Sequence, residues 1–240
     1  MSSLVLFFHK GGIFMWPILV FLLLTIAFIV ERYISLYLRV KFAPVDFRKN
    51  ILSYLAHGDF KSALSYIEMS AKGTSIGKIT TVACKLRSVG SGDEALQARM
   101  DEQLTKEISS YDKRTGFLSM FGNVATLLGL LGTVTGMITS FAGVSSATPV
   151  ERINMLSNGI SEALNATAFG LVAAIPALIA YAIYQNKTDQ IVSELTEQAS
   201  EIYHDFLFYT ESHKTAGKDQ RDEMMILGHA SESVVGSKRN

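Results

Sequence analysis

The stretch Phe117–Val144, FLSMFGNVATLLGLLGTVTGMITSFAGV, carries no charged residue and no proline. It exceeds the roughly 20 residues with which an α-helix crosses a bilayer. Two more stretches of similar length and apolarity, Gly12–Leu38 and Gly159–Tyr184, flank it in the chain. Of the 240 residues 48% are hydrophobic, and 22 basic residues balance 22 acidic ones. That concentration of apolar residues predicts a polytopic membrane protein with three transmembrane helices. The first stretch resembles a signal peptide in position, but its apolar run is long and ends in Glu31, Arg32 and Tyr33 without a small-residue cleavage site. It is expected to be a retained anchor.

Basic residues set the expected orientation. Arg39, Lys41, Arg48 and Lys49 follow the first span, and Lys113, Arg114 and Lys187 flank the other two on the same side. Lys10 and Arg152 alone lie on the opposite side. The positive-inside rule then puts the N-terminus outside and the long middle segment and the C-terminal region in the cytoplasm. The expected division is a short outer tail at 1–11, spans at 12–38, 117–144 and 159–184, a cytoplasmic helical segment at 39–116 and an outer turn at 145–158. A helical extension at 185–213 and a mobile tail at 214–240 complete it.

The segment outside the spans reads as helix. One short helix opens near Asp59 and closes at Gly73, and a second closes at Gly90. After Gly92, Leu96, Met100, Leu104, Ile108 and Tyr111 recur at spacings of three and four, a helix expected to run straight into the second span. Ile191, Leu195, Ile202, Phe206 and Tyr209 extend the third span in the same way. The fold class is therefore all-α, with two of the three transmembrane helices extended into a cytoplasmic helical bundle.

Catalytic patterns fail on spacing. In KGTSIGK the glycines are one residue too close for a phosphate-binding loop, and Ile79 stands where a metal-binding hydroxyl belongs. His9, His57, His204, His213 and His229 show no paired metal spacing. Cys84 is the single cysteine and reads as a small buried residue. Neither an enzyme, a cofactor, a metal nor a nucleic-acid partner is expected.

The second and third spans carry the information. At 100° per residue, Gly122, Ala125, Thr126, Gly129, Gly132, Thr133, Gly136, Ser140 and Gly143 fall within roughly 60° of one line. Ala163, Ala166, Thr167, Gly170, Ala173, Ala174 and Ala177 do so on the third span. Small residues let helices approach closely in a membrane, so these faces either only pack or line a path. In the second case Gly129, Gly132, Gly136, Gly170 and Ala174 are the residues expected to face a pore.

Thr133 and Thr167 lie at equal distances from the turn at Thr148–Val150, about 25 Å along each helix, and so are expected to share a depth. A lone threonine often bonds its own backbone, whereas two at one depth suggest a polar track. Glu162 reads either as an acid at the N-terminal dipole of the third helix or as a functional carboxylate at the outer mouth. No carboxylate lies near the middle of a span, yet proton pathways ordinarily need a titratable group. A proton path here needs one from another chain.

The runs LLGLLGTVTGMITSF (Leu127–Phe141) and GISEALNATAFGLVAAIPALIAY (Gly159–Tyr181), in that order and orientation, resemble the MotA/TolQ/ExbB proton-channel family, closest to its ExbB/TolQ branch. The opening GGIFMWPILVFLLLTIAFIVERY is similar to that branch's first span. The resemblance implies a pentamer around a single-span partner of the ExbD/TolR type, whose intramembrane aspartate carries protons. It also implies that Thr133 and Thr167 line the path, with Glu162 close to it, and that proton motive force drives work at the cell envelope. A gliding or flagellar-type motor subunit, or a passive scaffold clamping a partner helix, stand as alternatives.

Overall fold

The computed structural model describes residues 11–144 and 148–236, with side chains for 11–144 and 148–209. Among these the chain is all-α, without a strand. Helix α1 (Met15–Tyr33) widens into a π-helical turn at Ile34–Leu38. Four more helices follow: α2 (Phe47–Ala56), α3 (Phe60–Ser70), α4 (Ser75–Ser88) and α5 (Asp93–Asp112). Then come α6 (Thr115–Val144) and α7 (Pro149–Gly236). Three helical segments, Met15–Leu38, Asp93–Val144 and Pro149–Tyr209, are long and apolar enough to cross a membrane.

Three boundaries differ from the expected ones. The helix from Asp93 does not run unbroken into the second span: it stops at Asp112, and α6 starts at Thr115. Arg114 between them adopts φ 73°, a left-handed conformation uncommon for any residue but glycine. Tertiary contacts hold it there. Arg114 donates to Glu31 Oε1 at 3.2 Å, and the buried Arg32 donates from Nη1 to the Tyr111 carbonyl at 3.3 Å. The end of α1 thus supplies a donor to a terminal carbonyl that a stopped helix leaves open.

The outer turn is the second difference. Instead of 145–158, the loop closes by Thr148, because TPVE is a helix start. Glu151 Oε2 accepts from the Thr148 N–H at 2.9 Å and from its hydroxyl at 2.7 Å, half of a capping box, and Pro149 suits the first helical position. The third is the tail: the backbone stays helical to Gly236, where the polar composition after His213 suggests lost periodicity. Most of the expected outer tail, residues 1–10, and the chain end at 237–240 lie outside the described residues.

The chain divides into two compact units. The first holds residues 11–40 and 110–190 of the described chain, namely α1, the last turn of α5, α6 and the leading part of α7. Its centre is Ile18 of α1 against Ala125 of α6 and Ala173 and Ala174 of α7, with Phe21, Leu22, Leu128 and Phe169 around them. Phe28 meets Phe121 edge-on at 5.1 Å, and the Tyr184 hydroxyl donates to the Ile29 carbonyl at 3.0 Å. Much of the rest of α1 is exposed, with Trp16 at 62% and Leu23 at 59%, as its bulk on every side predicts.

The second unit holds residues 41–109 and the chain from Ile191. Side-chain caps start α3 and α4: Asp59 accepts from the Ser62 N–H at 3.0 Å and Thr74 from the Gly77 N–H at 3.0 Å. Ile51, Ile79, Leu96 and Phe206 are buried in it. Arg48 of α2 grips Asp205 of α7 with two bonds, at 2.8 and 3.1 Å. Cys84 is fully buried, and burial pushes its thiol up to about 12. Since the thiolate is the nucleophile, about one molecule in ten thousand is ionised at pH 8. Maleimide at pH 8 is therefore expected to leave Cys84 unlabelled in the folded chain and to label it fully in denaturant, as mass spectrometry would read; rapid native labelling would contradict this burial.

Candidate functional site

The faces of α6 and α7 built from small residues meet each other. A Cβ added at Gly129 would lie 3.2 Å from the Ala166 carbonyl oxygen and 3.2 Å from the Thr167 Cα. At Gly132 it would lie 2.5 Å from the Ala166 Cβ, at Gly136 3.0 Å from the Ala163 Cβ, and at Gly170 2.8 Å from the Ala125 carbonyl oxygen. These distances describe backbones in contact, which is how helices associate where lipid is as apolar as the side chains. The expectation that Gly129, Gly132, Gly136, Gly170 and Ala174 face a pore is therefore corrected. All five are buried, in a seam inside one chain.

What the seam leaves at its edges is the candidate site. Residues meeting α1 or its cluster, such as Phe121 and Leu128 on α6 and Phe169 and Ala173 on α7, fall roughly 60–100° to one side of the seam line. Thr133 and Thr167 fall roughly 40–60° to the other. Contact between Gly132 and Ala166 puts their neighbours Thr133 and Thr167 about 3 Å apart in height along the antiparallel pair. The two hydroxyls thus share one flank, the one away from α1. Exposed apolar side chains border it: Leu130 at 56% and Met137 at 37% on α6, Leu164 at 63% and Leu171 at 43% on α7.

Both hydroxyls have their protons committed. Thr167 Oγ1 donates across the seam to the Gly129 carbonyl at 2.9 Å, and Thr133 Oγ1 donates to the Leu130 carbonyl of its own helix at 2.6 Å. The Gly129 carbonyl is within reach because neither glycine nor its alanine neighbours hold the helices apart. A hydroxyl that donates once still has acceptor lone pairs. This flank therefore suits an incoming protonated acid, which donates to those lone pairs. A deprotonated carboxylate needs a hydroxyl to turn away from its carbonyl and donate instead.

Glu162 stands elsewhere. Because α7 begins at Pro149, Glu162 is thirteen residues beyond the start of its own helix, and the favourable dipole falls off within the first turn. The reading of Glu162 as an acid at that helix start is overturned; Glu151 has that place. Around α7, Glu162 lies roughly 140° from Thr167, on the α1 side. Its carboxylate touches Gly12, the residue before α1's first turn, where φ is +74°. The sequence reading missed both Gly12 and the Thr167–Gly129 bond. The TPVE signal was available for the helix start, but nothing local marks a contact across 150 residues.

The KGTSIGK segment is structural. Thr74 caps α4, and Lys78 Nζ pairs with the buried Glu107 at 2.9 Å while the Ser75 hydroxyl donates to the same carboxylate at 2.8 Å. The lysine that a phosphate site needs is neutralised by its own chain.

A family model described as the MotA/TolQ/ExbB proton channel family matches residues 71–197, more than half of the chain. Biopolymer transport protein ExbB of Salmonella typhimurium is 33% identical over 139 residues, 55% of this chain and 57% of that protein. Tol-Pal system protein TolQ of Haemophilus influenzae is 36% identical over 108 residues, 44% of this chain and 47% of that one. A putative biopolymer transport protein ExbB-like 1 of Synechocystis is 29% identical over 201 residues, 81% of this chain and 76% of that protein. The chain thus spans about half the length of the Salmonella and Haemophilus relatives.

Proposed function

The chain belongs to the MotA/TolQ/ExbB proton channel family, and from that premise we propose that it is the ring-forming subunit of an inner-membrane proton channel that turns proton motive force into work at the cell envelope. Copies assemble, as a pentamer, with the threonine flanks inward. They enclose a single-span partner of the ExbD/TolR type that brings an intramembrane carboxyl. The N-terminus faces out and the second unit lies in the cytoplasm, in keeping with the basic residues that follow the first span. Relatives named for biopolymer transport and for the Tol-Pal system support an envelope task.

One observation carries the reading: Thr133 and Thr167 share a height on the flank that α1 leaves open, each with its proton given to a backbone carbonyl. The partner's acid, when protonated, donates to these oxygens and crosses an apolar environment as a neutral group. When it releases its proton to water at the far side, the carboxylate draws donation from the hydroxyls, which turn from Gly129 and Leu130. The two states of the acid thus prefer two arrangements of the flank, so proton transfer biases the partner's position. Glu162 acts at the outer mouth, on the flank it shares with α1.

The test is the chain's companion. Purified in mild detergent, it is expected to carry a protein with a single span and an aspartate or glutamate inside that span. Vesicles holding both are expected to pass protons, and vesicles holding the partner with that acid replaced by its amide are not. A companion without an intramembrane acid, or flux that survives the amide, would overturn the reading.

A further inference from the structure

The residues that lead into α1 are held against both long helices. Phe14 lies over Gly132, 3.5 Å from where a Cβ on that glycine would stand, and Gly12 lies against Glu162. Gly12 is unusual in two independent respects. Its φ of +74° is the left-handed conformation that L side chains rarely adopt. A Cβ built on it would overlap the Glu162 carboxylate, approaching its Oε1 most closely, its Cδ at 2.8 Å and its Cγ at 3.1 Å. Its carbonyl accepts the Met15 N–H at 3.3 Å, so the carboxylate abuts the residue from which α1 is launched. The opening turn of a helix carries amides without intrahelical acceptors and the positive end of the dipole. A negative group is favoured there although it comes from another helix.

We propose that Gly12 is the seat of the Glu162 carboxylate: a left-handed position without a side chain, into which α7 lowers its acid so that the start of α1 fixes where that acid stands. Gly12 is a positioning residue, acting through Glu162. The seat accounts for the position of a half-buried acid roughly 140° around its helix from the threonines. It also couples α1, the helix most exposed on its outer side, to the outer mouth of the small-residue seam. The consequence for proton flow rests on the reading above, in which Glu162 works at that mouth.

Asparagine is one of the few side chains that tolerate the left-handed region, so Gly12→Asn adds the Cβ with little backbone strain. In the full chain in detergent, Gly12→Asn is expected to lower Tm by roughly 4–8 °C, an overpacking effect. In a Glu162→Ala background the same change is expected to cost less than about half as much, because no carboxylate remains to be displaced. Glu162→Asp, one methylene shorter, is expected to recover at least about half of the loss in the Gly12→Asn chain. An equal fall in Tm with and without Glu162 would overturn the seat. Proton flux separates the two claims. If Glu162→Ala leaves flux unchanged while the thermal coupling holds, Glu162 leaves the proton path and the seat stands. If Glu162→Ala loses flux, Gly12→Asn is expected to lose it to the same level, with the double variant no lower. Wild-type flux in Gly12→Asn would then overturn the positioning role.

Discussion

Thr167→Val, with assembly intact, is expected to cut proton flux through reconstituted vesicles roughly 10- to 100-fold, the loss that goes with removing one hydrogen bond to a charged or charge-shifting group. Valine keeps the branched shape and takes away the oxygen. The change therefore removes the acceptor that greets a protonated acid and the donor that greets the carboxylate. It also deletes the cross-seam bond to the Gly129 carbonyl. That bond is worth about 0.6–2 kcal/mol between membrane helices, so a fall of a few degrees in Tm is expected alongside. Thr167→Ser keeps the hydroxyl and is expected to retain most of the flux. Wild-type flux in Thr167→Val would remove the threonine flank from the proton path.

The second large effect is on stability, at Gly170. A Cβ there would stand 2.8 Å from the Ala125 carbonyl oxygen and 3.0 Å from the Gly129 Cα. Both are backbone atoms of α6, so neither can swing aside and the helices must separate. Gly170→Ala is expected to cost about 1–2 kcal/mol after the helix-propensity gain is counted, and Gly170→Val about 3 kcal/mol. Parting the helices at this level also draws Thr167 away from Gly129. Gly170→Val is thus expected to lose proton flux as well as thermal stability in detergent. Gly116 is the contrast. Nothing lies within 4 Å of a Cβ placed there, and Gly116→Ala is expected to be neutral or slightly stabilising. If Gly170→Val unfolded at the same temperature as Gly116→Ala, the seam would not be the close contact described above.

The small faces illustrate how far pattern reading reaches. Helical spacing placed the glycines and alanines on one side of each long helix, and the structure puts them on one side of each. Spacing cannot say what that side meets. A face of small residues can line a cavity or receive another such face, and the two possibilities have the same period. The backbone contacts at Gly129, Gly136 and Gly170 decide for the second. The two threonines were legible as a pair at one height because height follows from counting residues back from a turn. Which flank they occupy depends on where α1 lies.

The helix ends show the same division. Asp59 and Thr74 cap helices where local sequence says caps belong, since a short polar side chain reaches an amide three residues on. Lys113 and Arg114 interrupt a helix that no proline breaks. There Arg114 takes a conformation that its own chemistry does not favour, and partners supplied by Glu31 and Arg32 from α1 are what stabilise it.

By itself the sequence determined the all-α class, the three long apolar helices, the small-residue faces and the candidate threonines, because hydropathy and helical period are properties of neighbours along the chain. The tertiary structure alone decided that the small faces close on each other, that α1 covers one flank and leaves the threonines on the other, and that Glu162 rests on Gly12. Those are contacts between residues far apart in sequence, chosen by which backbones can approach closely enough to touch.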